Sequence, residues 1–287
     1  MLLLNASGCL DALTTPAVAR QLDAFVTKTV TPEPRQGNQP VRIAETDSGM
    51  LNAIGLANPG RERFLSQILP DLVAILELPV WVSVGGFSAH DYAETCAALH
   101  GDDVAAIELN LSCPNVDDAA ESAADIVGAC RAATPLPLYA KLSPASWDVS
   151  EVARAIEAAG ADGLSLVNTI RGTALEADLR PTLATATGGY SGPPLKPIAL
   201  AAIFACRRVT DLPIVGMGGV QSGRDVLEFV ACGATHVALG TTLFADPDTP
   251  QRVRAELRTA LDEAGLERVE DAFCLAHESV AVLDNRA

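Results

Sequence analysis

The stretch LYAKLSPASWDVSEVARAIEAAGADGLSLV, residues 138–167, reads as one strand–helix–strand unit. Short apolar runs at Leu138–Leu142 and Gly163–Val167 bracket an Ala-rich helical pattern over Val149–Ala159. Two such runs joined through one helix predict parallel strands. The same alternation runs from end to end of the chain. The further candidate strands are Leu2–Asn5, Ala24–Thr29, Val80–Val84, Ala105–Leu109, Pro213–Gly216 and His236–Gly240. Helical patterns follow them, among them Arg61–Leu78, Tyr92–Leu99, Ser122–Ala133, Pro197–Val209, Arg224–Ala231 and Gln251–Ala264. Eight strand–helix units without a break in composition predict a closed (β/α)8 TIM barrel, a single α/β domain over residues 1–287. An open doubly wound sheet is the competitor, but no strand is followed by GxGxxG, because Gly216-Met-Gly218 continues as Gly219-Val-Gln.

Composition narrows the function. Hydrophobic residues make up 49% of the chain and aromatic ones only 4%, so the core must be built mainly from Ala, Val, Leu and Ile. A net charge of −16 argues against nucleic-acid or anionic membrane partners, which need clustered Lys and Arg. Seven cysteines at positions 9, 96, 113, 130, 206, 232 and 274 show no CxxC pair, hence no disulfide framework, zinc site or iron–sulfur site. With no basic leader and no membrane-length apolar run, the chain reads as a cytoplasmic enzyme without a metal.

Two connections, Val30–Gly60 and Asn168–Leu195, are too long to be simple links and are expected to be functional loops. The strand ends carry Ser7, Lys28, Ser83, Asn110 with Cys113, Lys141, Asn168, Gly218-Gly219 and Gly240-Thr241. Nearly all are polar or glycine, as expected where strand ends line one pocket. Glycines after the seventh and eighth strands suit a phosphate, although glycines also mark tight turns. Lys141 ends an otherwise apolar strand, and Lys28 occupies a similar place; two inward lysines need negative partners. Those partners are either a phosphorylated cofactor with an anionic substrate, or some of the 36 acidic side chains. Asn52, Asn110, Asn115 and Asn168 offer uncharged donors and acceptors suited to a planar, amide-rich ring, the plainer reading being turn formation.

With these residues in view, the chain resembles the class 1 dihydroorotate dehydrogenases, FMN-dependent (β/α)8 barrels of pyrimidine synthesis. The resemblance covers nearly the whole chain through NASG (5–8), KTVTPEPRQGN (28–38), GMLNAIGLANPG (49–60), ELNLSCPN (108–115), YAKLSP (139–144), SLVNTIRG (165–172), GGYSGPPLKP (188–197), MGGV and LGTTLF. GMLNAIGLANPG and GGYSGPPLKP look most like the 1B branch, which passes electrons to NAD through a separate subunit carrying FAD and a [2Fe–2S] cluster. The fumarate-using 1A homodimer is the alternative branch, and a homodimer core is expected in either.

The resemblance implies that Cys113 is the general base taking a proton from C5 of dihydroorotate while hydride leaves C6 for the flavin. It places Lys28 by flavin and substrate, and Lys141 on the flavin's N1 side. Asn52, Asn110, Asn115, Asn168 and Thr169, with the backbone of Ala53, Ile54, Gly55 and Leu56, would hold the substrate. Ser7, Thr29, Asn110, Val167, Gly192, Gly218, Gly219, Gly240 and Thr241 would complete the FMN site, the last four at its phosphate. Cys113 is thus read as a reagent and the other six cysteines as buried small residues. The chain departs from the family in a shortened loop after Asn115 and in Ser83 where Asn is common. It also starts at the first predicted strand, which leaves three readings for the lower end: open, covered otherwise, or buried in a partner. A related pyrimidine or enoate oxidoreductase, or a flavin-free barrel acting on a phosphorylated metabolite, is the competing function.

Overall fold

A computed structural model describes residues 1–111, 122–145 and 148–278. Eight parallel strands form its central sheet: β1 (Leu3–Asn5), β2 (Phe25–Val26), β5 (Val80–Val84), β6 (Ala106–Asn110), β7 (Leu138–Leu142), β8 (Gly163–Leu166), β11 (Ile214–Met217) and β12 (His236–Leu239). Their order is β1-β12-β11-β8-β7-β6-β5-β2, and a parallel bridge between Leu4 and Ala24 brings the two ends together. The result is the expected (β/α)8 barrel.

Strand alternation sorts the side chains into two cores. Leu3, Phe25, Val82, Ile107, Leu109, Ala140, Leu164 and Val237 point outward beneath the helices. Leu4, Val26, Trp81, Ala106, Tyr139, Val215, Met217 and Ala238 fill the barrel, with the Trp81 and Tyr139 rings 4.4 Å apart. Gly163 makes room for that filling, since a Cβ there would lie 2.3 Å from the Tyr139 ring. The closing seam is finished by a side chain. Asn5, fully buried, donates from Nδ2 to Val26 O at 2.8 Å and accepts from Val26 N at Oδ1 at 2.9 Å.

Three expectations need correction. The second strand, expected over Ala24–Thr29, pairs regularly only at Phe25–Val26. Beyond it the Thr27 hydroxyl accepts the Ser83 N–H at 3.1 Å, a hydroxyl standing in for the backbone carbonyl, and the chain bows outward before rejoining at Val30. The helix expected over Arg61–Leu78 is interrupted by a π-helical segment at Phe64–Ile68, just ahead of Pro70, which has no N–H to give to the preceding turn.

The third correction concerns the two long connections, which are not plain loops. The first contains β3 (Ile43–Thr46) and β4 (Gly49–Asn52); the second contains β9 (Ile170–Gly172) and β10 (Gly188–Ser191). They pair as one antiparallel sheet, β3-β4-β10-β9, around Ala44, Leu51 and Leu183. Both connections leave C-terminal strand ends, so this sheet belongs to the barrel's upper mouth.

At the opposite end, His236 Nδ1 accepts the Leu2 N–H at 3.2 Å, and the terminal ammonium of Met1 meets Glu270 at 3.3 Å. Burial, then the nearby N-terminal charge, lowers the His236 pKa, which agrees with a ring nitrogen acting as acceptor. Among the described residues no helix is long and apolar enough to cross a membrane.

Candidate active site

Above the apolar filling the barrel interior turns polar. Period-two alternation places Glu108 of β6, Lys141 of β7 and Ser165 of β8 on the inward face, one pleat above Ala106, Tyr139 and Gly163. Lys141 is 4% exposed and Glu108 1%. The Lys141 ammonium donates to Ser7 Oγ at 2.9 Å and lies 3.5 Å from Glu108 Oε1. The negative partner that Lys141 demands is therefore Glu108, the first residue of ELNLSCPN. That contact is an ion pair without hydrogen-bond alignment, and Ser165 Oγ, also buried, has no partner among the described residues.

A second group links four strand ends. Thr29 Oγ1 and Ser83 Oγ share a hydrogen bond of 2.9 Å, Asn110 Nδ2 donates to Thr29 Oγ1 at 3.2 Å, and Asn168 Nδ2 donates to Asn110 Oδ1 at 3.1 Å. Asn168 Oδ1 then accepts the Thr169 N–H at 2.8 Å. The Tyr92 hydroxyl fixes the Asn110 carbonyl at 2.7 Å from below. Each amide is thereby oriented before any ligand arrives. Ser83 takes its place in this chain by bonding Thr29.

The antiparallel sheet adds the next residues. Asn52 Nδ2 donates to Gly189 O at 3.2 Å, and a Cβ on Gly189 would lie 2.1 Å from Thr169 Oγ1, so Asn52 and Thr169 meet across that glycine. The carbonyls of Ala53, Ile54, Gly55 and Leu56 are all used, by Asn38, Asn38 N, Arg35 and Asn58 respectively. The N–H groups of Ile54, Gly55 and Leu56 have no partner among the described residues. Gly55 and Leu56 have φ of 72° and 56°, and successive N–H groups in such a conformation form a concavity suited to an anion. A non-glycine residue with φ in this range is uncommon.

Glycines gather the remaining loops. Gly192, Gly218 and Gly219 have φ of 104°, 115° and 81°. A Cβ on Gly219 would lie 2.7 Å from Lys196 N and 3.0 Å from Gly192 O, so the ends of β10 and β11 approach only because residue 219 is glycine. Thr241, after β12, donates to Ser191 Oγ at 2.8 Å beside Gly192. At Gly240 a Cβ would fit in ordinary contact with Ala6 Cβ at 3.6 Å and Cys9 Sγ at 3.8 Å. Val167 is buried and donates its N–H to Met217 O, tying β8 to β11 at the same level.

Lys28, expected to point inward, is exposed and has no hydrogen bond or ion pair among the described residues. Its stem runs past Gly8, where a Cβ would lie 3.9 Å from Lys28 Cγ. Loss of hydration, then the Arg42 charge, lowers its pKa, with Asp11 opposing. Cys113 and Asn115 lie outside the described residues. Two residues close to the site had not been singled out in the sequence. Glu108 stands two positions before Asn110 and so on the same face, but only the register with β7 shows that it meets Lys141. Cys9, whose pKa burial raises against the pull of Lys141, was read as an ordinary buried thiol.

Comparison with known proteins agrees with this geometry. Residues 2–261 match the sequence profile of the family described as dihydroorotate dehydrogenase. The catalytic subunit of dihydroorotate dehydrogenase B (NAD(+)) from Listeria welshimeri is 45% identical over 260 residues, covering 88% of this chain and 85% of that protein. The subunits of the same name from Halalkalibacterium halodurans and a Geobacillus species are 44% and 42% identical; they cover 87% and 88% of this chain, and 85% and 83% of their own length is matched. The chain belongs to the dihydroorotate dehydrogenase family.

Proposed function

We propose that this protein oxidises (S)-dihydroorotate to orotate in pyrimidine biosynthesis, as the FMN-binding catalytic subunit of an NAD-linked enzyme in the cytoplasm. The observation that carries the reading is the buried Lys141 ammonium, held by Ser7 and Glu108 on the same barrel mouth as the Ser83–Thr29–Asn110–Asn168 chain. The residues fit a phosphorylated flavin. Gly240 leaves room that a Cβ would fill, and Gly192, Gly218, Gly219 and Thr241 bring three loops together where a phosphate can accept backbone N–H bonds. FMN, when bound, supplies the acceptor for the hydride that leaves C6 of dihydroorotate.

The chain's own residues do the rest. Cys113 takes the C5 proton as general base. Lys141 presents a fixed cation to the ring's electron-rich edge, and Lys28 a second one at the substrate side. Asn52, Asn110, Asn115, Asn168 and Thr169 orient the pyrimidine through amide and hydroxyl groups, and the free N–H groups of Ile54, Gly55 and Leu56 receive the carboxylate. A partner subunit with FAD and a [2Fe–2S] cluster would carry electrons onward to NAD, around a homodimeric core. The relatives' name, catalytic subunit, supports such a partner.

The test is direct. Purified protein should be yellow, release FMN on denaturation, lose its flavin absorbance with dihydroorotate under anaerobic conditions, and yield orotate. A colourless protein that FMN cannot reconstitute would overturn the assignment and favour a flavin-free barrel.

A further inference from the structure

Lys141 and Glu108 form a buried pair whose geometry goes beyond charge neutrality. In the sheet order β1 stands four places from β7, so the Lys141 side chain crosses the barrel interior to reach Ser7. A four-carbon stem spanning that distance has many rotamers, and one hydroxyl does not select among them. Glu108 supplies the second restraint. The register pairs Asn110 with Lys141 and Glu108 with Tyr139, which puts the carboxylate one pleat below the lysine on the adjoining strand. Oε1 stands 3.5 Å from the ammonium, within a pocket that excludes water from both groups.

Resting on the FMN reading above, we propose that Glu108 is a positioning residue for Lys141: it fixes the ammonium against Ser7 and offsets part of its charge, so that the pair sets the flavin's redox poise. A lone buried ammonium would favour electron uptake by any ring placed above it, because the added negative charge would meet an uncompensated positive one in a low-dielectric interior. With Glu108 beneath, the field above Lys141 is that of a dipole and falls off faster. Ser165, level with Lys141 on the next strand and equally buried, has no hydroxyl partner among the described residues, so it does not take the place of the carboxylate.

The experiment measures the midpoint potential of the bound flavin. Glu108→Gln should retain FMN and raise the potential by at least about 30 mV, the value of a tenfold change for a two-electron couple. Glu108→Asp, which keeps the charge, should bring it back toward the native value. An unchanged potential in Glu108→Gln overturns the proposal. A double-mutant cycle of thermal midpoints, combining Glu108→Gln with Lys141→Met in the protein as purified, reads the pairing separately. Strong non-additivity is expected, and additive effects overturn the pairing. If the native protein binds no FMN, the functional reading fails while the cycle still decides whether Glu108 holds Lys141.

Discussion

Asn5 completes the barrel by giving its side-chain amide to both backbone groups of Val26, at 2.8 and 2.9 Å. β1 and β2 share only one bridge, so this amide stands where a ladder of main-chain bonds would otherwise run. Asn5→Ala should leave a buried N–H and a buried C=O unpaired and cost about 2–5 kcal/mol. Thermal unfolding should then shift down by roughly 5–15 °C. A shift of under a degree would show that the seam closes without it.

Gly219 is the tightest point of the glycine cluster. Gly219→Ala must place a methyl 2.7 Å from Lys196 N at a φ of 81°, pushing the β10 and β11 ends apart. The expected loss is about 1–3 kcal/mol of stability together with a more than tenfold weaker hold on FMN. Equilibrium dialysis of FMN, alongside a melting curve, separates the two effects.

Cys113→Ala should keep its flavin and lose roughly 10²–10⁴-fold in the rate at which dihydroorotate bleaches it. Rapid-mixing absorbance under anaerobic conditions gives that rate. Cys113→Ser should recover activity only at high pH, since a hydroxyl needs activation that a thiol does not. Native rates in Cys113→Ala would remove the thiol from the reaction.

Lys28 gives a pH signature. Its pKa is lowered by desolvation and by Arg42, so its positive charge is lost at a lower pH than an ordinary lysine's. Orotate binding should accordingly weaken as pH rises through that lowered value, before an ordinary lysine would lose its charge. Lys28→Met should bind orotate more weakly at neutrality and show no further alkaline decline. Titration calorimetry across pH would reveal an identical decline in both proteins if another group is responsible.

His236 governs a different window. Its folded pKa lies below the usual 6.5, so the unfolded chain binds more protons between the two values. Stability is fully present above 6.5, falls as pH drops toward the folded pKa, and is not lost further below it. Melting temperatures of the native protein should therefore drop through this interval more than those of His236→Gln, which cannot take up the proton.

The barrel was legible because the outward faces of its strands carry unbroken aliphatic side chains. Val80–Val84 and Leu138–Leu142 coincide with their expected bounds for that reason. The antiparallel sheet was not legible: Ile43–Thr46 and Gly188–Ser191 bury one side at most, and their pairing depends on partners far along the chain. The shared mouth of Ser7, Ser83, Asn110, Lys141 and Asn168 followed from the rule that strand ends converge. The Lys141–Glu108 pair did not, because a glutamate within an apolar strand has no pattern of its own until the register of its neighbour is known. Asn5 stood inside a quoted motif, yet its service to Val26 replaces a missing backbone ladder, something no local pattern announces.

Asn52 and Gly189, joined through one hydrogen bond, stand 137 positions apart, and Leu3 pairs with Val237. During synthesis the first strand must therefore wait, with one edge bare, until residue 239 has left the ribosome. At ordinary elongation speeds that wait lasts about 10–50 s. The pocket is thus among the last parts of the molecule to exist. A chain stopped anywhere before its final strand would carry most of the chemistry-bearing side chains and none of the enclosure that makes them useful.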